Sequence, residues 1–369
     1  MSFRGLAGID KRIQMYPQDQ EYREELAKNL GCKADRLGSV VGTEELKDIV
    51  SKLSPDNFSV GDDFANVNNG THKVNLHIHT IESDGNMTVE ELLNQAVEYA
   101  DKVKDPPFII ALTNHDTIKD TIITLEIISK NPEKFRKVKF IPGVEITAKY
   151  VNNELFDKPI QLEVIGYSIN PFDKDLNKLL DVFKEDNINY GKELVAKAQK
   201  IGLNASFEEA KGFHNLINIG ASPAFVRLLF DYLLDKAEEQ GFDSQKIEDL
   251  IQEHIREYKT EYVFRSTPEI ADVLNFIRTG LLGIAHPGRI CLKGLKHHVS
   301  GKEAIESLFN KFNKLGGTAA EINYQYKSDY YNPESNAWLN HIARYAEKLG
   351  ILKTGGIDNH SKSIFICKM

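Results

Sequence analysis

The sequence predicts an α/β protein built on a parallel sheet or barrel, and three observations carry that expectation. Short apolar runs recur from Lys73 onward, helical periodicity fills most of the intervals between them, and polar or charged residues close the runs. The runs are KVNLHIH (73–79), PFIIAL (107–112), VKFIPG (138–143), IQLEVIGYSI (160–169), LLGIAHP (281–287), TAAEINY (318–324) and a weaker ILKTGG (351–356). Helical segments include VEELLNQAVEYADKV (89–103), KEAIESLFNKFNKL (302–315) and AWLNHIARYAEKL (337–349).

Two regions break the alternation. Residues 1–72 read as a polar helical extension, with candidate helices at Gln18–Leu30 and Thr43–Leu53 followed by the turn-rich stretch Ser54–Gly70. Residues 171–267 hold several helices and no strand pattern, which predicts a helical insertion able to cap one end of the barrel. The barrel is then expected in two parts, residues 73–170 and 268–369.

Bulk composition narrows the function. The 369 residues are 41% hydrophobic, enough for a substantial core. A net charge of −8 argues against a broad basic surface for long nucleic acid, although a pocket for a short phosphorylated ligand stays open. Cys32, Cys291 and Cys367 lie far apart without a CxxC pair, so neither a disulfide framework nor a thiolate zinc site is expected. With no apolar run of signal-peptide or membrane-span length, the expectation is a cytoplasmic protein without membrane association. The absence of GxxxxGK[ST] leaves nucleoside triphosphate hydrolysis of that type without support.

The chemistry gathers at the run ends. His77 and His79 stand two apart in LHIHT, so a strand points both to one face, and Asp84 follows in the turn ESDG. One HxH alone is a weak signal. The other runs, however, end in Asn114-His115-Asp116, Val144-Glu145, His286-Pro287 and Asp358-Asn359-His360. A parallel barrel carries its catalytic groups at these C-terminal strand ends. So many imidazoles and carboxylates exceed what one catalytic ion needs, which implies two or three divalent ions, with manganese, zinc, iron or magnesium as candidates. Glu145 is a natural bridging carboxylate.

LHIHT with SDG, TNHDT, PGVEI, IAHPGR and GIDNH resemble, in content and in order, the successive motifs of the PHP (polymerase and histidinol phosphatase) family over residues 73–369. The resemblance implies a distorted (β/α)7 TIM-like barrel with a trinuclear site. The insertion with SPAFVRLL is most similar to the branch acting on nucleoside 3′,5′-bisphosphates and short RNA 5′ ends. It also implies that His77, His79, Glu145 and Asp358 surround one ion, that Glu145 bridges to a second held by His286, and that Asp84, His115 and His360 surround a third. Glu163 stands where the family usually has histidine, which moves the second site toward oxygen ligands and harder ions. Asn114 replaces a more usual aspartate and is expected to affect a supporting hydrogen bond.

The expected reaction is hydrolysis of a phosphoester of a small metabolite, nucleotide or short oligonucleotide by a metal-bridged hydroxide. Asp116 is expected to orient His115 or to pass a proton to the leaving group, and Arg289 and Arg227 to bind a second phosphate. The alternatives are a metal-dependent C–N hydrolase and a non-catalytic metal-binding sensor. His297-His298 reads as a solvated pair, His72, His214, His254 and His341 as surface or satisfied core residues, and Trp338 as core.

Overall fold

A computed structural model describes residues 19–53, 73–103, 107–212, 223–261, 267–277, 279–290, 292, 294–324, 334–358 and 360. Its seven strands lie side by side in chain order: β1 (Val74–Ile78), β2 (Phe108–Leu112), β3 (Val138–Tyr150), β4 (Ile160–Tyr167), β5 (Leu281–Ile284), β6 (Ala319–Tyr324) and β7 (Leu352–Gly356). Each apolar run of the sequence supplies one strand. β7 returns against β1, so the sheet is a nearly closed barrel. A Cβ on Gly356 would stand 2.6 Å from the Cβ and N of His77, a closeness that requires glycine.

The expected parallel sheet needs correction at β4. Strands β1 to β3 and β5 to β7 pair in parallel, whereas β4 is antiparallel to both β3 and β5. Residues 151–159 are too few for a crossover helix, which takes about a dozen residues or more, and a short connection reverses the chain. β3 also runs well past the expected 138–143. Pro142 pairs with Leu112 in the parallel ladder and Gly143 with Tyr167 in the antiparallel one, so Pro-Gly marks a change of partner within one strand.

The helices are α1 (Asp19–Leu30), α2 (Thr43–Lys52), α3 (Val89–Ala100), α4 (Lys119–Lys130), α5 (Lys174–Lys200), α6 (Phe207–Gly212), α7 (Pro223–Glu239), α8 (Ser244–Glu261), α9 (Ile270–Phe276), α10 (Gly301–Lys314) and α11 (Glu334–Lys348). Local signals fix several starts. Thr88 and Glu91 form a reciprocal capping box on α3, and Ser300 Oγ accepts from Glu303 N at 3.1 Å ahead of α10. α5 begins in the apolar cluster of the barrel flank with Leu176, Leu179 and Leu180. It continues into a separate core with Tyr190, Leu194 and Val195, joined there by Leu229 and Leu233 of α7 and Ile247 and Ile251 of α8.

The N-terminal segment closes the barrel at the end where β1 and β3 begin. Leu46 and Val50 of α2 are buried in one cluster with Leu76, Ile109, Ile141, Ile165 and Leu281. Each such side chain stabilises by about 1.5–3 kcal/mol. Ser39 and Val41 exchange backbone hydrogen bonds with Phe140, Ser168 Oγ donates to Val41 O at 3.0 Å, and Tyr22 Oη donates to Ile169 O at 2.7 Å. Asp19 of α1 caps α2 by accepting from Glu44 N and Glu45 N. Ser54–Gly70, His72, His214 and the side chain of Trp338 lie outside the described residues. Among the described residues no helix is long and apolar enough to cross a membrane.

Candidate metal centre

At the barrel end opposite α2, side chains from six strands or strand ends converge. His77 on β1 and His79 just beyond it are fully buried. A hydrogen-bond network fixes the end of β1: Asn114 Oδ1 accepts from Thr80 N at 2.8 Å, Asn114 Nδ2 donates to Thr80 Oγ1 at 2.7 Å, and Thr80 Oγ1 donates to Asp120 at 2.5 Å. Asn114 therefore serves the backbone that carries the histidines. The turn 80–85 curls back tightly enough to bring Asp84 beside them, and a Cβ on Gly85 would lie 2.3 Å from His79 O. Ser83 Oγ donates to Asp84 Oδ1 at 3.0 Å and accepts from His115 N at 3.1 Å, tying the turn to the end of β2.

The remaining groups arrive from β3 to β7. Glu145 lies in the interior of β3, not at a strand end, because β3 continues to Tyr150. Glu163 reaches the mouth from the N-terminal half of β4, which the reversed direction of that strand places at this end. His286 and Asp358 follow β5 and β7, and His360 lies 3.0 Å from Asp84 Oδ2 through its Nε2. His286, Asp358 and the adjacent Asp116 have positive φ values of 21°, 49° and 52°, a conformation unfavourable for residues with a Cβ. Strain of this kind persists where surrounding structure over-determines it.

Glu145 is central. Its Oε2 is 3.1 Å from His77 Nε2, 3.2 Å from His115 Nδ1 and 3.4 Å from His79 Nε2, while Oε1 is 3.2 Å from His286 Nε2. His286 Nε2 also stands 3.1 Å from Glu163 Oε2. Asp358 Oδ1 faces His79 Nε2 at 3.1 Å and His77 Nε2 at 3.4 Å. The ring of His79 lies against those of both His115 and His360, with centroids 4.6 and 4.5 Å away.

The nine sequence-nominated ligands thus form one connected cluster. Their ligand atoms fall into overlapping groups able to hold an ion: His79, Asp84, His115 and His360; His77, His286 and Asp358; His77, His79 and Glu145; and His115, Glu145 and Glu163. His79 joins the Asp84 group, to which the sequence reading did not assign it. His79 Nε2 is buried and faces two carboxylate oxygens, Asp358 Oδ1 at 3.1 Å and Glu145 Oε2 at 3.4 Å, a setting that suits a cation between them.

Electrostatics follow from this crowding. Burial pulls the imidazoles down, but the surrounding carboxylates outweigh it at His77, at His115, raised to about 9, and at His286, raised to about 10. His79 goes the other way, lowered to about 4 by burial and by the neighbouring His360. Burial pushes the carboxyls of Glu145 and Asp358 upward, yet His77 and the other imidazoles hold both well below the usual range. Protonated histidines here balance carboxylates that a bound cation would otherwise neutralise.

The nominated catalytic residues divide. Arg289 Nη1 lies 2.5 Å from Asp358 Oδ2 and 3.2 Å from Tyr324 Oη, so it supports a candidate ligand carboxylate as well as lining the mouth. Asp116 is buried and accepts from Thr147 N and Oγ1, both at 3.0 Å; its carboxylate is held by β3 and not by the ring of His115. Burial pushes its carboxyl up to about 7 against those two bonds. Arg227 falls on α7, but its side chain lies outside the described residues. His297 and His298 are exposed, and His254 is buried and donates to Tyr190 O at 3.3 Å.

Two residues escaped the sequence reading. Tyr324 Oη donates to Asp358 Oδ2 at 2.9 Å. Glu321 is buried behind His77 and His286. The available signal was a charged residue inside the apolar run TAAEINY, since a glutamate is rarely buried without partners. A cavity of about 360 Å3 opens over the cluster, lined by Asp84, His115, Glu163, His286, Asp358 and His360, with Gln161, Leu162, Arg289 and Ile290 among its other walls.

No family model matches the chain. The 3′,5′-nucleoside bisphosphate phosphatase of Chromobacterium violaceum is 22% identical over 293 residues, 78% of this chain and 87% of that one. The 5′-3′ exoribonuclease Rnm of Salmonella typhimurium is 28% identical over 61% of this chain and 69% of its own. A solved structure of an amidohydrolase from Chromobacterium violaceum covers 78% of this chain and 88% of that one at 20% identity, with a TM-score of 0.49. By its sequence similarity to this phosphatase and this exoribonuclease, the chain is a homologue of theirs, a phosphoesterase-type hydrolase of ester bonds.

Proposed function

We propose that the chain hydrolyses phosphate esters of nucleoside 3′,5′-bisphosphates, related small metabolites or short RNA 5′ ends, using two or three divalent ions held by His77, His79, Asp84, His115, Glu145, Glu163, His286, Asp358 and His360. The observation that carries this reading is the convergence of these nine side chains on one mouth, with Glu145 presenting one oxygen to His286 and the other to His77 and His115. The named activities of the relatives support the substrate class.

Bound ions would supply a nucleophilic water near neutral pH and neutralise charge on the phosphate. The chain's own groups position them and the substrate. Glu145 and Asp358 face the interior of the cluster, while Arg289 and Tyr324 hold the outer oxygen of Asp358. Arg289 also lines the cavity, where its guanidinium suits a substrate phosphate. Leu162 and Ile290 give the same cavity an apolar wall, suited to the organic part of the ester. Glu163 in place of an imidazole favours manganese or magnesium over zinc. The three dispersed cysteines fit a reducing compartment, which we take to be the cytoplasm.

The test is phosphate release from nucleoside bisphosphates, nucleoside monophosphates, sugar phosphates and short 5′-phosphorylated RNA, with manganese added and ion content measured. Turnover of nucleotide substrates is expected. Full ion occupancy without hydrolysis of any of these esters would overturn the proposal.

A further inference from the structure

We infer that Glu321 is a positioning residue which holds His77 and His286 as one unit, so that its loss loosens two neighbouring ion subsites together. The inference rests on the metal-centre reading above. Glu321 lies on β6, with 1% of its surface exposed, directly after the fully buried Ala319 and Ala320. Its Oε1 and Oε2 are 3.0 and 3.1 Å from His77 Nδ1, and Oε2 also accepts from the backbone N of His286 at 2.9 Å.

The consequences follow from hydrogen-bond directionality. With Glu321 accepting at Nδ1, that nitrogen carries a proton, and the lone pair available for an ion is on Nε2. This is the nitrogen that faces Glu145 and Asp358. The bond to His286 N acts on the backbone instead, fixing a residue at φ 21° that would otherwise relax. His286 Nε2 then faces the other oxygen of Glu145. Glu321 behind the two histidines and Glu145 in front thus form a clamp, and closure of the barrel is what lets a residue on β6 reach a histidine on β1. A glutamine could place its amide oxygen at the Oε2 position and keep the bond from His286 N, but its NH2 would then face the Nδ1 proton of His77, where the carboxylate offers a second acceptor.

The experiment measures manganese binding by calorimetry on the metal-stripped full-length chain for the wild type, Glu321→Gln and Glu321→Ala, with melting midpoints of the metal-free proteins and the visible spectra of cobalt-loaded samples. Glu321→Ala is expected to weaken binding by roughly 10- to 100-fold and to alter the cobalt spectrum, with Glu321→Gln recovering part of the loss. If Glu321→Ala does not fold, the nearly isosteric Glu321→Gln carries the test through its own loss of affinity. Wild-type affinity and an unchanged cobalt spectrum in Glu321→Gln and Glu321→Ala would overturn the inference while leaving the metal centre intact. A wild type that binds no ion would overturn the centre and this inference together.

Discussion

Arg289 and Asp358 form a 2.5 Å ion pair that divides the aspartate between two tasks, with Oδ2 bound to the guanidinium and Oδ1 turned toward His79 and His77. An arginine expected to serve substrate alone is therefore also a support for a candidate ligand. Arg289→Ala should lower kcat/KM about 10- to 100-fold on every substrate, as loss of a ligand's supporting partner does, with a larger loss on doubly phosphorylated ones. Steady-state kinetics on matched mono- and bisphosphates separates the two effects. Equal losses would leave the support of Asp358 as its whole role.

His79 turns its buried Nε2 toward both Asp358 Oδ1 and Glu145 Oε2. His79→Ala and Asp358→Ala are each expected to abolish turnover while circular dichroism and the cooperative melt persist, because both side chains sit at the barrel mouth, away from the apolar clusters. Near-wild-type rates in either variant would show the assignment to be wrong.

In the proposed centre proton and metal compete for the same atoms, which predicts a characteristic pH response. In the metal-free chain His115 and His286 are raised to about 9 and about 10, above their ordinary value of 6.5. A raised histidine contributes stability that is complete below its unfolded value and lost as pH climbs through its folded value. The metal-free melting midpoint should accordingly fall between about pH 7 and pH 10. Over the same range manganese affinity should rise as the imidazoles lose their protons. A flat midpoint from pH 7 to 10 would contradict the charge arrangement described for the cluster.

Asp116 offers a choice between chemistry and architecture, and its two bonds to Thr147 favour architecture. Asp116→Asn should retain kcat within about tenfold, whereas loss of a general acid costs roughly 10²- to 10⁴-fold. Thr147→Val, which removes one bond to this buried carboxylate, should destabilise the fold by about 1.5–3 kcal/mol, measured by urea denaturation. A kcat drop above a hundredfold in Asp116→Asn, with stability unchanged, would restore the proton-transfer role.

Glu163 and His286 meet at 3.1 Å, so the chemistry of this position bears directly on ion choice. Glu163→His is expected to raise the ratio of zinc to manganese affinity, since imidazole suits zinc better than the harder ions. Competition titrations with the two metals check this, and an unchanged ratio would remove Glu163 from the ligand set.

Much of this arrangement is visible in the sequence because the ligand motifs fall at or near strand ends, where apolar runs give way to polar residues. The seven strands and the positions of His77, His79, His115, His286 and Asp358 follow from that pattern alone. The direction of β4 does not, since an isolated strand pattern is the same read either way; only the short connection 151–159 hints at reversal. Pro142-Gly143 looks like a terminator, because proline removes a ladder donor, yet here it lies where β3 exchanges one neighbour for another. Glu321 was hidden for a different reason. A single glutamate in TAAEINY matches the alternation of a half-solvated strand, and only closure of the barrel turns that face inward.

In the proposed centre, the reversal of β4 gives metal choice an unusual seat. Apart from His77 on β1 and Glu145 within β3, the other candidate ligands cluster where strands give way to loops, where insertions and altered turns can redraw a site. Gln161 and Glu163 instead project from within a paired strand, opposite Lys149 and Thr147. Their reach into the cavity is therefore set by ladder registry, and a slip of two residues would present an amide where the carboxylate now stands. In the proposed centre, ion preference is in that sense a digital property, changed by single letters on a fixed frame.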